Sequence, residues 1–162
     1  MAGQPHEAQQ LLDIARLQQS GTRAFNRMYS EATEGLLDLL RGKLRHATAR
    51  FRLAVDATHA VNFRHTHGNA WAGVLYAGVV YESNQIDRAD HLLNAYLPLA
   101  RDVGLPDHMI ESHVMRSRIA FIKGDVDAAY LVLGELEYLG SRRKLARVAA
   151  AAKLERARLL ML

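Results

Sequence analysis

The chain has 162 residues, 49% of them hydrophobic, a net charge of +4 and no cysteine. The missing thiols exclude disulfides, thiolate catalysis and cysteine-ligated zinc and fit a cytoplasmic setting, while the small charge excess does not by itself nominate nucleic acid. No run of about 18 apolar residues offers a membrane span, and Met1-Ala2-Gly3-Gln4-Pro5-His6-Glu7 lacks the charged and apolar regions of a signal peptide.

With only 3 prolines and long stretches free of breakers, the sequence reads as all-α. Residues 6–20 form an N-terminal extra or capping helix, with Ala8, Leu11, Leu12, Ile14 and Ala15 apolar, and Ser20-Gly21 ends it. Three units of one pattern follow, over 22–58, 68–103 and 107–140, and 144–162 reads as the first helix of a fourth. Each unit turns on the same phrase: Gly42-Lys43-Leu44-Arg45-His46-Ala47, Asn84-Gln85-Ile86-Asp87-Arg88-Ala89 and Gly124-Asp125-Val126-Asp127-Ala128-Ala129. Turn residue, aliphatic and alanine recur in register, at spacings of 42 residues (Gly42 to Asn84) and 40 (Asn84 to Gly124). Helical spacing with a period near 40 marks a solenoid of helix pairs.

Before each turn a small-centred apolar stripe runs along a first helix, A: Met28/Ala32/Gly35/Leu39, Ala70/Val74/Ala77/Tyr81 and Ile110/Val114/Ser117/Phe121. A further step of 40 lands on Ala150/Leu154/Ala157/Met161. After each turn a second helix, B, carries Leu44/Ala47/Phe51/Ala54, Ile86/Ala89/Leu93/Tyr96 and Val126/Ala129/Leu133/Leu136 on one face. The alanine after the turn and the small residue in the stripe let two antiparallel helices approach closely. Pro98 falls inside the second B helix and is expected to kink or shorten it near Leu97. Gly104-Leu105-Pro106-Asp107 reads as a C-cap glycine, a proline stop and an N-cap candidate.

Catalytic and cofactor motifs are missing: neither phosphate-binding glycine loop, no nucleophile elbow and no zinc-protease helix. The 8 histidines, including His59, His65, His67, His108 and His113, read as surface and capping residues, with no ligand set at helical spacing. No metal, no cofactor and no catalytic role are therefore expected. The basic clusters Arg41/Lys43/Arg45/Arg50/Arg52 and Arg142/Arg143/Lys144/Arg147/Lys153/Arg156/Arg158 read as solvated faces, the second also as a candidate anion or domain contact. What a helical-pair solenoid offers is a concave surface lined by its A helices. Tyr29, Trp71, Glu111, Arg118 and Arg158 fall at its repeating positions, with Tyr81 and Phe121 at its floor. Arg118, at a mostly apolar helix centre, requires a partner such as Glu111 or a ligand.

The pattern resembles a loosened tetratricopeptide repeat, with units of 40–42 residues where about 34 is usual. The wording of Leu75-Tyr76-Ala77-Gly78-Val79-Val80-Tyr81-Glu82, of Leu99-Ala100-Arg101-Asp102-Val103-Gly104-Leu105-Pro106-Asp107 and of Ala151-Ala152-Lys153-Leu154-Glu155-Arg156-Ala157-Arg158 is similar to the repeat domain of MalT-like, ATP-dependent LuxR-type transcriptional regulators. That resemblance covers 28–162. It implies a right-handed superhelix of about three and a half repeats that senses an effector in its groove and mediates oligomerisation. Nucleotide switching and DNA binding would then belong to domains absent from this chain. An uncovered stripe on the last helix is expected to drive homo-oligomerisation. The alternatives are a scaffold binding a partner peptide in the same groove, a nucleic-acid binder using the basic helices, and, least favoured, an enzyme.

Overall fold

The chain turns four times through the same backbone corner. In the computed structural model, which describes residues 7, 9–11, 23–59, 70–103 and 105–162, Gly42, Asn84, Gly124 and Lys144 all take positive φ, between 57° and 82°. At each corner the residue's N–H donates to the carbonyl three residues back, on Leu39, Tyr81, Phe121 and Ser141. The next N–H donates to the carbonyl five back, on Asp38, Val80, Ala120 and Gly140, with all eight bonds between 2.7 and 3.2 Å. This is a Schellman ending, which satisfies the last carbonyls of a helix and reverses the chain. Glycine enters the left-handed region freely and asparagine tolerates it, whereas a lysine there costs about 1–2 kcal/mol.

Seven helices are described: α1 (Arg23–Leu40), α2 (Leu44–His59), α3 (Ala70–Glu82), α4 (Ile86–Val103), α5 (Pro106–Ile122), α6 (Val126–Arg142) and α7 (Ala146–Leu159), with no strand among the described residues. The first three corners close the antiparallel pairs α1–α2, α3–α4 and α5–α6, and the fourth joins α6 to α7. Each helix packs only on those one or two places along the chain from it, so the molecule is an all-α, solenoid-like stack of helix pairs. None of these helices is long and apolar enough to cross a membrane. Of the N-terminal helix expected over 6–20, residues 7 and 9–11 are helical and the rest, with Ser20-Gly21, lies outside the described residues.

The alanine after each turn is where the helices of a pair meet: Ala47, Ala89 and Ala129 are completely buried. Glycine takes this further at two crossings. A Cβ on Gly35 would lie 2.5 Å from the Phe51 ring and one on Gly73 would lie 2.3 Å from the Tyr96 ring. In the third pair the Ser117 hydroxyl donates to the Ala129 carbonyl at 3.0 Å, tying helix to helix through the backbone. The fourth corner repeats the device, since Gly140 faces the Ala149 backbone with no room for a Cβ, 2.6 Å from its nitrogen. The central helix α3 is apolar on nearly every side and buries Ala70, Ala72, Gly73, Val74, Tyr76, Ala77, Val79 and Val80, as expected of a helix flanked by neighbours all round.

Several expectations change. The second B helix is not shortened, since α4 continues past Pro98 to Val103. Proline removes the hydrogen bond to the Asn94 carbonyl, but both residues are exposed, so water can serve that carbonyl while Tyr96 and Ala100 hold the buried face. Pro106 does not stop a helix but opens one: it is the first residue of α5, after the cap residue Leu105, and Asp107 lies in the first turn. Gly104 lies outside the described residues. The stripe Ala150/Leu154/Ala157/Met161 is exposed throughout, and α7 instead buries Val148, Ala152, Glu155 and Leu159. The reason is the Schellman corner before it, which folds α7 back on α6 as a B helix folds on its A helix.

The basic clusters are mostly exposed, as expected, but several of their members also pair with carboxylates of neighbouring helices. Arg50 reaches from α2 across to three carboxylates of α1, Glu31 at 2.9 Å, Glu34 at 2.5 Å and Asp38 at 3.0 Å. On α7, Arg147 pairs with Asp107 of α5, and Arg156 and Lys153 pair with Glu137 of α6 at 3.1 and 3.6 Å. These ion pairs stitch neighbouring helices together. Two histidines are not at the surface: His108 and His113 are buried, and His113 is completely so. His65 and His67 lie outside the described residues.

Candidate binding groove

The A helices α1, α3 and α5 lie side by side and enclose an open groove of about 390 Å³. Helical periodicity selects what lines it. Leu36 and Leu39 come from α1; Leu75, Gly78, Tyr81 and Glu82 from α3; Ile110, Glu111, Val114 and Arg118 from α5, each set one to two turns apart. The walls are aliphatic, and Gly78 sets the depth. A Cβ there would meet only the Met115 methyl, at 3.6 Å, so it is the missing side chain, not a steric need, that leaves the hollow. The volume is in the range of small-molecule sites, roughly 300–1,000 Å³.

Three charged residues, Glu82, Glu111 and Arg118, break the apolar lining. The Arg118 guanidinium forks onto Glu155 of α7, with Nε donating to Oε1 at 2.6 Å and Nη2 to Oε2 at 2.8 Å. The Glu155 side chain is 6% exposed and Arg118 is 31% exposed, so the pair reaches from the core to the groove edge. The Arg118 hydrogen bonds hold the Glu155 carboxyl below the ordinary carboxylate range. In turn the hydrogen bonds to Glu155 raise the pKa of Arg118, helped by the negative charge of Glu82. Arg118 is thus already engaged by a carboxylate before any ligand arrives. Glu111 is reachable by solvent but sits within the concavity, and dehydration by the surrounding protein raises its pKa.

Beside the groove runs a row of rings across the same three helices. Tyr29 of α1 meets Trp71 of α3 at 5.5 Å between centroids, and Trp71 stacks on His108 of α5 at 5.9 Å with planes 18° apart. Burial pushes the His108 pKa down. The same effect dominates at His113, partly offset by the bond of its Nδ1 to the Met109 carbonyl at 2.8 Å. Among the described residues no group of three histidines or carboxylates could hold a metal ion.

The structure therefore gathers Tyr81, Glu111 and Arg118 in the groove, together with Leu36 and Gly78. Tyr29 and Trp71 touch each other but lie outside its lining, and Phe121 packs in the core between α5 and α6. Arg158, on α7, bonds Glu155 at 3.4 Å and leaves the groove alone. The partner of Arg118 is Glu155 and not Glu111, which lies two turns away on the same helix. Sequence reading also missed His108 as the third ring. A signal for Glu155 existed: it falls on one helical face with Val148, Ala152 and Leu159, the face that α7 buries.

The fold thus presents an apolar, open groove in an all-α, solenoid-like stack, with polar groups at its rim. The chain is similar to a segment of the serine/threonine-protein kinase PknK of Mycobacterium tuberculosis and of Mycobacterium bovis, at 28% identity over 123 residues. That stretch is 76% of this chain and 11% of the kinase. No family model matches the chain. No solved structure matches it.

Proposed function

We propose that this chain is the signal-sensing and protein-interaction domain of a bacterial transcriptional regulator of the MalT-like, ATP-dependent LuxR type, which binds an effector in the groove between α1, α3 and α5. The observation that carries the reading is the groove itself, 390 Å³ of largely aliphatic wall built by the three A helices with Leu44 of α2. The effector acts by population shift, favouring one packing of the repeats over another. Self-association is part of the same reading, and Leu154 of α7, 73% exposed, is one apolar side chain that pairing would cover. In this reading the protein is cytoplasmic, is not an enzyme, and leaves DNA contact to a separate domain of the regulator.

A scaffold that holds a partner peptide in the same groove is the second reading. Its support is the similarity to a segment of a serine/threonine-protein kinase, a protein whose name carries no DNA-binding output.

A thermal-shift screen of the purified chain against sugars, metabolites and peptides tests both. Saturation at about 100 times the dissociation constant adds about 2.7 kcal/mol, a rise of about 5–10 °C for a chain of this size. Gly78→Leu fills the hollow with little disturbance of the core and should abolish the rise for any groove ligand. A small molecule that stabilises the parent and not this variant supports the sensor; stabilisation by extended peptides alone replaces it with the scaffold.

A further inference from the structure

We infer that the groove takes an apolar molecule bearing a cationic amine, and discriminates against the matching carboxylate. The inference rests on the groove reading and adds the chemical class of its occupant. Three charged residues line the hollow, Glu82, Glu111 and Arg118. The one cation among them is spent: Arg118 donates two bonds to Glu155, at 2.6 and 2.8 Å, and its potential is further offset by Glu82. An arriving anion would have to displace Glu155 from a fork that is nearly buried on the carboxylate side, and would meet two more carboxylates on the walls. A cation meets the opposite field.

The rest of the lining fits the same guest. Leu36, Leu75, Ile110 and Val114 supply aliphatic wall for a hydrocarbon body, worth about 25 cal/mol per Å² removed from water. Tyr81 and Glu82 both line the groove near the end of α3, so the hollow offers an ammonium head an aromatic ring and a carboxylate. Glu111 lines the groove from α5 while keeping contact with solvent, and an ammonium in the hollow would meet its carboxylate. A hollow of 390 Å³ holds a molecule of eight to ten heavy atoms with room at its open side, and n-octylammonium is a probe of that size.

The test is isothermal titration calorimetry of the full chain with n-octylammonium, n-octanol and n-octanoate, below their micelle concentrations. The expected order is octylammonium over octanol over octanoate, with about tenfold between the first and last, the size of one or two partly exposed charge contacts. Glu111→Gln should weaken octylammonium about threefold and leave octanol unchanged. Glu155→Gln frees the Arg118 charge and should move the preference toward octanoate; circular dichroism of both variants reports their folding. Equal binding of the three probes, or tighter binding of octanoate to the parent, overturns the charge selection while keeping the groove. No binding by any probe overturns the charge selection as well, and if the wider screen is also silent the groove reading falls with it.

Discussion

Arg118 and Glu155 show how much one residue can depend on another that is remote in sequence. Glu155 is among the few buried charges of the molecule, and it is tolerable there because a guanidinium fork satisfies both its oxygens. Removing only the acid leaves Arg118 in a partly dehydrated site without its counter-ion. Glu155→Ala should therefore cost about 2 kcal/mol, less than the 3–5 typical of fully buried pairs because Arg118 keeps some water, and urea unfolding at pH 7 measures it. The pH dependence has a definite sign. The folded-state pKa of Glu155 lies below its ordinary value of 4.5, so the unfolded chain takes up the proton first. The pair's contribution is fully present above about pH 4.5 and is lost as pH falls through the depressed folded value. Unfolding measured in steps from pH 6 down to pH 3 should show this loss in the parent and a flatter acid limb in Glu155→Gln. The need of Arg118 for a partner was legible in the sequence, because a cation interrupted an apolar stripe. The identity of the partner was not, since periodicity gives the face of a residue but not which helix that face meets. The burial of His113 escaped for a related reason: its Nδ1 is served inside its own helix by Met109, which no pattern of side-chain types reveals.

At the scale of the helix, the corners and crossings carry the fold, and most of them were legible. Turn residue and alanine recur in register because a Schellman ending needs a left-handed residue and a close crossing needs a small one. The fourth corner was hidden because lysine stands where glycine or asparagine was expected. Lys144→Gly should accordingly raise stability by about 0.5–1 kcal/mol, part of the left-handed penalty being returned as added freedom of the unfolded chain. Gly73→Ala should do the opposite, losing about 2–3 kcal/mol as the new methyl meets the Tyr96 ring. Thermal unfolding of the two variants beside the parent decides both. The continuity of α4 through Pro98 shows the limit of breaker signals: a proline ends a helix when its lost bond is buried, and here that bond faces water.

Across the whole molecule the core is not one body. A large apolar cluster joins α1 to α4 and takes in Met115 and Ile119 of α5. Two smaller clusters lie between α5, α6 and α7, one around Met109, Leu136, Leu139, Val148 and Ala152 and one around Ala120, Ala129, Leu133 and Leu159. Between them sit the buried polar residues His113, Ser117 and Glu155. A stack with contacts only between near neighbours can open in parts. Leu136→Ala, costing about 2–5 kcal/mol by cavity formation, should therefore speed amide hydrogen exchange over 106–159 while protection over 70–100 persists. Equal acceleration along the chain would mean that the stack unfolds as one unit.

The ring row beside the groove gives the molecule a built-in optical gauge. Trp71 is the sole tryptophan of the chain, and its indole touches Tyr29 on one side and His108 on the other. Its emission therefore belongs to the place where the first three A helices come together, with no second indole to dilute it. Any slide or tilt of α1 or α5 against α3 alters the quenching by imidazole and the energy transfer from tyrosine. The repacking through which an effector is proposed to act has a colour and a lifetime, readable in the unlabelled protein.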